Sequence, residues 1–423
     1  MSGTDQACIL NSICEFIIDC EHKTAPIQEE GYPSIRTPNI GRGRLILEGV
    51  NRVSEETYKL WTQRAIPGEG DLILAREAPV GNVAIIPKNL QVCLGQRTVL
   101  IRPDKSKIDP NYLVYLLLGD EVQGKIQSLS GGATVAHLNM VEIRKMELPT
   151  LPSLPTQQKI GTILSAYDDL IENNTQRIKI LEEMAQVIYR EWFVNFRFPG
   201  HEGVRLVESE LGPVPMGWDV QTVEETFSIT GGGTPSTKAP EYWENGEINW
   251  YSPTDLTSSG TMFMDCSGNQ INEAGLKNSS AKLFSPFSVM MTSRATLGVI
   301  SINTTDACTN QGFITCIPNE HFPLYTLYHW LKENVETFIS LGTGSTFKEI
   351  TKGVFKTIQL VVPPPEISSQ FEQTVQPLAF QILNLQRKNS NLRRTRDLLL
   401  PKLISGEFDV SELDILIPEE MAA

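Results

Sequence analysis

The sequence predicts an α+β fold, in which two duplicated β-rich domains are separated by two long helices. The helices are predicted to pair antiparallel as a coiled coil, with a pseudo-twofold relation between the duplicates. Two observations predict this arrangement. Apolar residues recur in steps of three and four in two distant stretches, and the segments before those stretches repeat each other in order and spacing. One domain followed by one helix, twice over, accounts for both observations.

The first domain is predicted over residues 1–156. Short β-rich runs, bounded by Gly, Pro, Asn and Asp clusters, lie at 45–47, 72–75, 82–86 and 99–101. A helix is predicted at 110–118, because its proline suits a first turn and the apolar residues after it supply a buried face. The domain therefore combines strands with at least one buried helix.

Two long helices are predicted, at residues 157–192 and 366–402. The first has the seam Ile160, Leu164, Tyr167, Ile171, Ile178, Leu181, Ala185 and Ile188, interrupted by Asn174. The second has the seam Phe371, Val375, Leu378, Ile382, Leu385, Leu392 and Leu399, with Asn389 and Arg396 at the remaining positions. A seam two residues wide needs a facing seam of the same kind, so the two helices are predicted to bury each other. Two unrelated amphipathic helices, each lying on its own domain, are the simpler alternative.

The two seam asparagines predict how the helices pair. A buried Asn is costly unless it meets another polar group, so Asn174 is predicted to face Asn389 and to set the register. In antiparallel sense the numbers of facing residues then sum to 563, which pairs Ile171 with Leu392 and Trp192 with Phe371. A parallel pairing with the helix starts aligned would leave both amides against apolar residues.

Residues 217–365 are predicted to form the second domain, because they repeat the plan of the first. The offset is a constant 212 residues from Ser128 to Pro152, and further upstream the match continues with small gaps, pairing Arg76 with Arg294, Gly81 with Gly298 and Gln96 with Gln311. Residues 193–216 are predicted to be a linker without regular structure, because Pro and Gly interrupt them. Residues 403–423 are predicted to be an acidic tail.

Composition favours a soluble cytoplasmic protein. The chain has 423 residues and is 40% hydrophobic, enough for two or three ordinary domains. No window reaches the roughly 18 uncharged apolar residues of a membrane span, and the N-terminus lacks a signal region. The seven cysteines and five histidines show neither C-x-x-C nor H-x-x-x-H spacing, which argues against disulfides and a metal site.

The net charge of −14 argues at first against a nucleic-acid partner, but the charge is unevenly distributed. Residues 366–402 hold 6 basic and 3 acidic groups, whereas residues 403–423 hold 6 acidic groups and no basic ones. An acidic chain can present a local basic surface, although it would bind DNA weakly alone. A basic partner is therefore expected to supply further phosphate contacts.

The sequence shows no catalytic motif. It lacks G-x-x-x-x-G-K-[ST], G-x-S-x-G and H-E-x-x-H, and it lacks the Gly-rich loop and the Asn/Asp-Pro-Pro-aromatic tetrapeptide of methyltransferases. Asp19, Glu21 and Lys23 are spaced too closely to form a nuclease-like trio on two adjacent strands. We therefore expect no catalytic residues and no cofactor in this chain.

Both repeats instead carry polar and planar side chains early, in turn-like stretches. Arg suits guanine, Asn or Gln suits adenine, and small hydroxyls suit phosphate oxygens, although each such residue alone is more often a solvated loop side chain. The DNA-binding candidates are Lys23, Thr24, Arg36, Asn39, Arg42, Arg44, Arg76 and Thr134 in the first repeat, and Thr234, Ser236, Lys238, Tyr242, Trp250, Ser252, Asp255, Arg294, Thr346 and Lys348 in the second. Arg36 and Arg42 are predicted to be needed for DNA recognition and dispensable for folding.

The whole chain resembles the DNA-specificity subunits of type I restriction-modification systems. The resemblance rests on Gly232-Gly233-Thr234-Pro235-Ser236 with the following Glu241-Tyr242-Trp243 and Ile248-Asn249-Trp250, on Gly212-x-x-Pro215-x-Gly217-Trp218, and on Leu398-Leu399-Leu400-Pro401-Lys402-Leu403-Ile404-Ser405-Gly406-Glu407. Residues 19–24 and 31–40 resemble the opening of a first target-recognition domain. Members of this family are built from two target-recognition domains and two helical spacers, the organisation predicted here.

The resemblance implies a non-catalytic subunit that reads double-stranded DNA and holds two adenine methyltransferase subunits, usually with two motor-nuclease subunits. It implies S-adenosylmethionine, ATP and Mg on those partners. Two similar heads on a fixed spacer predict a bipartite, asymmetric site with some 5–9 unspecified base pairs, because heads on one face of DNA sit about one turn apart. A two-headed coiled-coil adaptor for protein or glycan, and a methylation complex without a nuclease, remain alternatives.

Overall fold

The computed structural model describes residues 8–130, 136–344 and 348–417. In the first repeat the strands are β1 Cys8–Ile9, β2 Cys14–Asp19, β3 Tyr32–Ile35, β4 Gly43–Arg44, β5 Arg52–Val53, β6 Leu72–Ala75, β7 Val83–Ile85, β8 Cys93–Leu94, β9 Thr98–Pro103 and β10 Glu147–Leu148. The helices up to the linker are α1 Glu55–Trp61, α2 Pro110–Leu118, α3 Asp120–Leu129, α4 Met140–Arg144 and the long α5 Leu154–Tyr189.

The remaining elements follow the linker. The strands are β11 Leu206–Ser209, β12 Gly212–Pro215, β13 Asp219–Thr222, β14 Ser228–Thr230, β15 Ile248–Tyr251, β16 Phe263–Met264, β17 Asn269–Ile271, β18 Val289–Thr292, β19 Ile300–Asn303, β20 Ala307–Thr309, β21 Phe313–Ile317 and β22 Gln359–Val362. The helices are α6 Val223–Thr226, α7 Pro253–Ser259, α8 Glu273–Lys277, α9 Leu324–Glu333, α10 Val335–Leu341, α11 Lys352–Lys356 and the long α12 Pro365–Ile404.

The chain divides into two compact units, Met1–Asn173 with Asn389–Ala423, and Asn174–Lys388. Each unit contains one repeat and about half of each long helix. Both division points lie inside the long helices, so the predicted limits of the recognition domains stay predictions. Within the described part of the chain, no helix is long and apolar enough to cross a membrane.

The first repeat contains a five-stranded sheet in the order β2-β9-β6-β7-β4 and a three-stranded sheet in the order β5-β3-β8. Strands β6, β7 and β9 and helix α2 lie where the sequence predicts strands and a helix. The strand predicted at 45–47 is wrong: β4 is Gly43–Arg44, and Ile46 and Leu47 are exposed. Leu45 makes only an isolated bridge, to Ile40, because this apolar triplet lies on the surface and has no partner strand.

The second repeat has the same two sheets. Its five-stranded sheet has the order β14-β21-β18-β19-β16, and its three-stranded sheet has the order β17-β15-β20. In both five-stranded sheets the outermost short strand pairs parallel, β4 with β7 and β16 with β19, while the other pairings are antiparallel. The duplication predicted from the sequence is therefore present in the topology.

Backbone hydrogen bonds align the two repeats residue by residue. The Gly81 N–H donates to Ala75 O at 3.0 Å, and the Gly298 N–H donates to Thr292 O at 2.9 Å, so these glycines correspond as predicted. Arg76 N donates to Arg97 O and Ser293 N to Gly312 O, which makes Ser293 the counterpart of Arg76. The predicted pairing of Arg76 with Arg294 is wrong by one residue, because the two hairpin loops have equal length and Arg294 corresponds to Glu77.

The two long helices pair antiparallel, as predicted, in each unit taken by itself. In the first unit, Arg396 of α12 forms an ion pair with Asp168 of α5, and the Asn389 side chain donates to Ile171 O at 3.3 Å. In the second unit, the rings of Trp192 and Phe371 lie 5.8 Å apart, a pair that the predicted register contains.

The seam asparagines are both buried, with 8% of Asn174 and 3% of Asn389 exposed. Burial fits their predicted seam positions. That the two amides face each other stays a prediction.

The linker has more regular structure than predicted. Strands β11 and β12 form an antiparallel hairpin in which Leu206 pairs with Pro215, and its turn uses Gly212 at φ +91°. The prediction failed because Pro and Gly were read as breakers, whereas here Gly212 supplies the left-handed turn that a tight hairpin requires. Trp218 then packs on Phe193, Phe196 and Phe198.

Candidate nucleic-acid interface

In each repeat, several polar loops meet at one edge of the domain, where strands of both the five-stranded and the three-stranded sheet end or begin. In the first repeat β2, β3 and β6 end at this edge and β9 begins there, which brings together residues 20–24, 36–39, 76–81 and 95–97. In the second repeat β14, β15 and β18 end there and β21 begins there, which brings together residues 231–238, 252–255, 293–298 and 310–312. We call each of these loop groups the loop edge of its repeat.

The loops of each edge are joined by backbone hydrogen bonds. In the first repeat, Gly95 N donates to Ile35 O at 2.7 Å and Cys20 N to Thr98 O at 3.2 Å. In the second repeat, Asn310 N donates to Tyr251 O at 2.9 Å, the counterpart of the Gly95 bond. The backbone frame of the two edges is therefore shared, and the side chains on it can differ.

The candidates of the first repeat divide between the two edges of its sheet. Lys23, Thr24 and Arg36 are exposed at the loop edge. Arg44 is not there: it pairs with Ile85 across β4 and β7, and Ile85 pairs with Leu72, the end of β6 that lies away from the loop edge.

Arg42 and Arg44 instead contact helices. Arg42 donates to Leu118 O at 3.3 Å, and Arg44 forms an ion pair with Asp169 of α5 at 2.5 Å. Both guanidinium groups therefore have a structural partner. Arg44 meets its partner at the end of the sheet opposite the loop edge, whereas Arg42 meets the end of α2, where Gln123 donates both to Leu117 O and to Gly81 O of the 76–81 loop.

Asn39 and Asp255 occupy equivalent positions, and each accepts a hydrogen bond from the backbone N–H three residues earlier. The Asn39 Oδ1 accepts the Arg36 N–H at 3.2 Å, and the Asp255 Oδ2 accepts the Ser252 N–H at 2.7 Å. Each side chain closes the turn that follows the strand entering the loop edge. Asn39 is buried, and Asp255 also accepts the Ser252 hydroxyl. Turn geometry explains Asn39, Ser252 and Asp255 whether or not they also contact DNA.

Ion pairs bind the first loop edge together. Arg76 is buried, with its guanidinium donating to Asp19 Oδ2 at 2.6 Å and to Leu138 O at 2.9 Å. Its third partner is His137 Nε2 at 2.9 Å, and the other ring nitrogen of His137 lies 2.8 Å from Glu77. Because Nε2 must accept from Arg76, the proton of neutral His137 sits on Nδ1 and is donated to Glu77.

Two further pairs neutralise cations at this edge. Arg97 lies 2.9 Å from Glu77, and Arg64 lies 3.3 Å from Glu21. Arg76 is thus a scaffold residue of the first loop edge, with little of its guanidinium free for DNA.

The second loop edge is organised by hydrogen bonds and aromatic packing instead. The Thr234 hydroxyl donates to Gln311 Oε1 at 2.8 Å, which ties the 231–238 loop to the turn before β21. Trp250 is buried and packs edge-on against Trp243, with centroids 5.1 Å apart. The indole N–H of Trp250 donates to Gly233 O at 2.9 Å, so this candidate shapes the loop from beneath.

The polar residues of the 231–238 loop are more accessible. Ser236 and Lys238 are exposed, and the Ser236 carbonyl accepts the Trp243 indole N–H at 3.1 Å. Tyr242 is half-buried beside Gly275 of α8. Of this group, Thr234, Ser236 and Lys238 present free side-chain surface at the loop edge.

The cationic side chains Arg294 and Lys348 of the second loop edge make only long contacts with their partners. Arg294 is exposed and lies 3.8 Å from Glu349, and Lys348, also exposed, donates to Ile339 O at 3.4 Å. The Lys348 carbonyl accepts the Ala295 N–H, which places Lys348 beside Arg294. The structure therefore gathers these two candidates. Thr134 and Thr346 lie outside the described residues.

The described residues include one group with metal-ligand spacing, Asp19, Cys20 and His22. It suits a metal poorly. Burial raises the pKa of the Cys20 thiol, which keeps the sulfur protonated, and Asp19 is already the partner of Arg76. The group is better explained as part of the ion-pair network of the first loop edge.

Three further residues lie at the loop edges that are not among the candidates predicted from the sequence, namely Gln96, Gln311 and Lys352. The two glutamines correspond, since Gln96 donates to His22 O at 3.5 Å and Gln311 accepts from Thr234. The internal repeat had already paired them, and that pairing was the available signal. Lys352 lies beside Gly231, a proximity that no local pattern in the sequence records.

Comparison with known proteins gives a consistent result. The model of the type I restriction modification DNA specificity domain matches residues 10–183 and 215–390. The MjaIX specificity subunit of a type I restriction enzyme from Methanocaldococcus jannaschii is 29% identical over 380 residues, covering 87% of this chain and 84% of the relative. The HindI specificity subunit from Haemophilus influenzae is 24% identical over 402 residues, covering 80% and 87%.

A solved structure has the same fold. The S subunit of a type I restriction-modification system from M. genitalium superposes with a TM-score of 0.58 at 16% identity, over 95% of this chain and 98% of that chain. This likeness concerns the fold alone.

Proposed function

The chain belongs to the type I restriction modification DNA specificity family, and we propose that it selects the DNA sequence on which a type I restriction-modification complex acts. Each repeat would read one half of a bipartite site through its loop edge. Family membership favours this function over a two-headed adaptor for protein or glycan.

One observation carries the proposal. The two loop edges share a backbone frame, because equivalent hydrogen bonds fix Gly95 to Ile35 and Asn310 to Tyr251. The side chains on that frame differ, for example Arg36 against Ser252. A protein that holds two equivalent frames with unlike polar side chains is suited to two unlike DNA sequences, since base edges are read by side chains.

The chain itself is proposed to be non-catalytic. Two methyltransferase subunits carrying S-adenosylmethionine would act on adenine, and two motor-nuclease subunits would use ATP and Mg. The net charge of −14 supports a need for partners, because an acidic chain that contacts phosphates through a few local cations binds DNA weakly alone.

Methylome sequencing of cells that carry the chain with its methyltransferase partner tests the proposal. The expected methylated site is asymmetric and bipartite, with 5–9 unspecified base pairs between the halves, about one helical turn from centre to centre. A continuous palindrome would contradict reading by two unlike heads. A complex that neither shifts a DNA duplex nor methylates one would favour the adaptor.

A further inference from the structure

A lysine that is not among the sequence candidates lies at the loop edge of the second repeat. Lys352 is the first residue of α11, its side chain is exposed, and its Nζ rests against the backbone of Gly231. The contact is so close that a Cβ on residue 231 would overlap Nζ and Cε. Within the described ranges, no ion pair or hydrogen bond engages the Lys352 ammonium. A cation held over a glycine without an acidic partner is available to an external anion.

The residues equivalent to Gly231 and Lys352 in the first repeat differ in charge from those in the second repeat. Thr230 pairs with Thr315 and Ile18 with Leu100, and the aligned frames make Gly231 the counterpart of Asp19. The offset of 212 residues likewise makes Lys352 the counterpart of Met140. At this point of the loop edge the second repeat therefore lacks a carboxylate and gains an ammonium.

Neighbouring side chains add to the positive charge around Lys352. The Ile350 N–H donates to Ser293 O at 3.0 Å, which sets the segment carrying Lys348 and Lys352 against the loop that carries Arg294. Glu349 is the acid of this segment, and it lies 3.8 Å from Arg294. These two segments thus carry three cations and one acidic group, an excess of positive charge that attracts polyanions.

We propose that Lys352, seated on Gly231, binds a backbone phosphate of the target DNA at the second repeat. The inference rests on the proposed function and names a contact within it. A phosphate suits the geometry better than a base edge, because a lysine ammonium is a compact point charge without the planar fork that reads guanine in two bonds. Such a contact positions the duplex and carries no sequence information.

The Lys352→Ala variant tests the contact in the complex of the full chain with its methyltransferase partner. Dissociation constants are measured for a random-sequence duplex and for the target duplex between 50 and 200 mM salt. Loss of one phosphate contact should weaken both duplexes by the same factor and reduce the slope of log K against log salt by about 0.9. The deficit should therefore shrink roughly 3.5-fold between 50 and 200 mM salt.

A second variant, Gly231→Ala, displaces the Lys352 ammonium without removing its charge. Gly231→Ala places a methyl group where Nζ lies, so the ammonium must move while the charge is kept. It should reproduce the loss caused by Lys352→Ala, and the double variant should lose no more than either single one, because both changes remove the same contact. Lys356→Ala is the matched control, since this lysine lies on the same helix but pairs with Glu224 at 2.7 Å, and its binding should stay unchanged.

Three results would overturn the contact. These are an unchanged salt slope in Lys352→Ala, additive losses in the double variant, or a loss confined to the target duplex, which would indicate base reading. A wild-type complex that binds neither duplex would instead contradict the proposed function as a whole. Circular dichroism spectra that match wild type confirm that the variants are folded.

Discussion

The two repeats have one scaffold and handle charge in different ways at their loop edges. In the first repeat, Arg76 is buried among Asp19, His137 and the Leu138 carbonyl. In the second repeat, the equivalent position is Ser293, and the nearest arginine, Arg294, is exposed and 3.8 Å from its acid. The first edge is thus closed by internal ion pairs, whereas the second leaves its cations open to a ligand.

The difference shows which features a duplicated recognition domain keeps. The bonds that hold the loops to the sheet are made by backbone atoms, so they survive any change of side chain. Side chains above that frame are free to form internal networks, as in the first repeat, or to stay available, as in the second. Two unlike half-sites can therefore be read by one fold without rebuilding it.

The largest expected effect contrasts the ion pairs on the long helices. Asp168 is 4% exposed; it pairs with Arg396 and accepts the Tyr115 hydroxyl at 2.6 Å. Asp168→Ala leaves the half-buried Arg396 guanidinium with only the exposed Asp397 as a partner and leaves a buried hydroxyl unpaired. The first unit should therefore lose about 3 kcal/mol of unfolding free energy, the lower end of the cost of breaking a buried ion pair.

Asp265 supplies the matched control in the second unit. It pairs with Arg387 at 2.8 Å, but both side chains are about half exposed. Asp265→Ala should cost at most about 1 kcal/mol, because exposed pairs are screened by water. Urea unfolding of both variants measures the contrast, and equal losses would refute it.

Carboxylates cap α2 and α9 in different ways, and they make the stability of each unit depend on pH. In the first repeat α2 is capped by the local Asp109, whose carboxylate accepts the Tyr112 N–H at 2.8 Å. In the second repeat α9 starts after a proline, and Glu372 of α12 accepts the amides of Tyr325 and Thr326. Burial raises the pKa of Asp109 to about 6, and burial also raises the pKa of Glu372.

Since a raised pKa favours the protonated folded state, the first unit should gain stability as pH falls from about 6 to about 4 and lose it as pH rises through 6. Asp109→Asn keeps a good cap and removes the titration. Relative to wild type it should be more stable at pH 7, by up to roughly 3 kcal/mol, with the difference gone near pH 4. Unfolding curves across this range test the sign, and a difference that grows toward low pH would contradict it.

The two arginines of the loop hairpins should separate folding from binding. Arg76→Ala removes three buried charged hydrogen bonds and should destabilise the first unit by roughly 1.5–3 kcal/mol. Arg294→Ala should change stability by less than about 0.5 kcal/mol, because the side chain is exposed and loosely paired. The Arg294→Ala variant should instead weaken DNA binding. If both variants lose stability equally, the contrast between the two loop edges fails.

Much of the architecture was readable from the sequence, because its signals are periodic. The heptad seams predicted that the two long helices pair, and the seam asparagines predicted their antiparallel sense. The offset of 212 residues predicted the duplication, and a proline before apolar residues predicted α2. The hairpin in the linker was not readable, because Pro and Gly serve turns inside regular structure as well as breaks between elements.

The candidate site was only partly readable, because strand register decides which loop lies at which edge. Arg44 is near Arg36 in sequence, yet β4 runs parallel to β7 and carries it to the opposite end of the sheet. Asn39 and Asp255 looked like base-reading side chains, but such side chains also cap turns. Lys352 became visible only when folding set it on Gly231.

The different surroundings of Arg36 and Arg42 in the first repeat yield the smallest expected effect and a test of which arginine contacts DNA. Sequence reasoning treated Arg36 and Arg42 alike, as arginines in one Gly- and Pro-rich stretch. The structure places Arg36 at the end of β3, beside Gly95 of the loop edge, and gives Arg42 the Leu118 carbonyl as partner.

Arg36→Ala should therefore weaken binding of the target duplex about tenfold, roughly 1.4 kcal/mol, with folding unchanged. Arg42→Ala should leave affinity within about twofold, since its guanidinium already donates to the Leu118 carbonyl. Dissociation constants and methylation rates at the target site, measured on both variants in the assembled complex, distinguish the two. Equal losses would place both arginines against DNA, whereas a loss in Arg42→Ala alone would move the reading surface of the first repeat from Arg36 to Arg42.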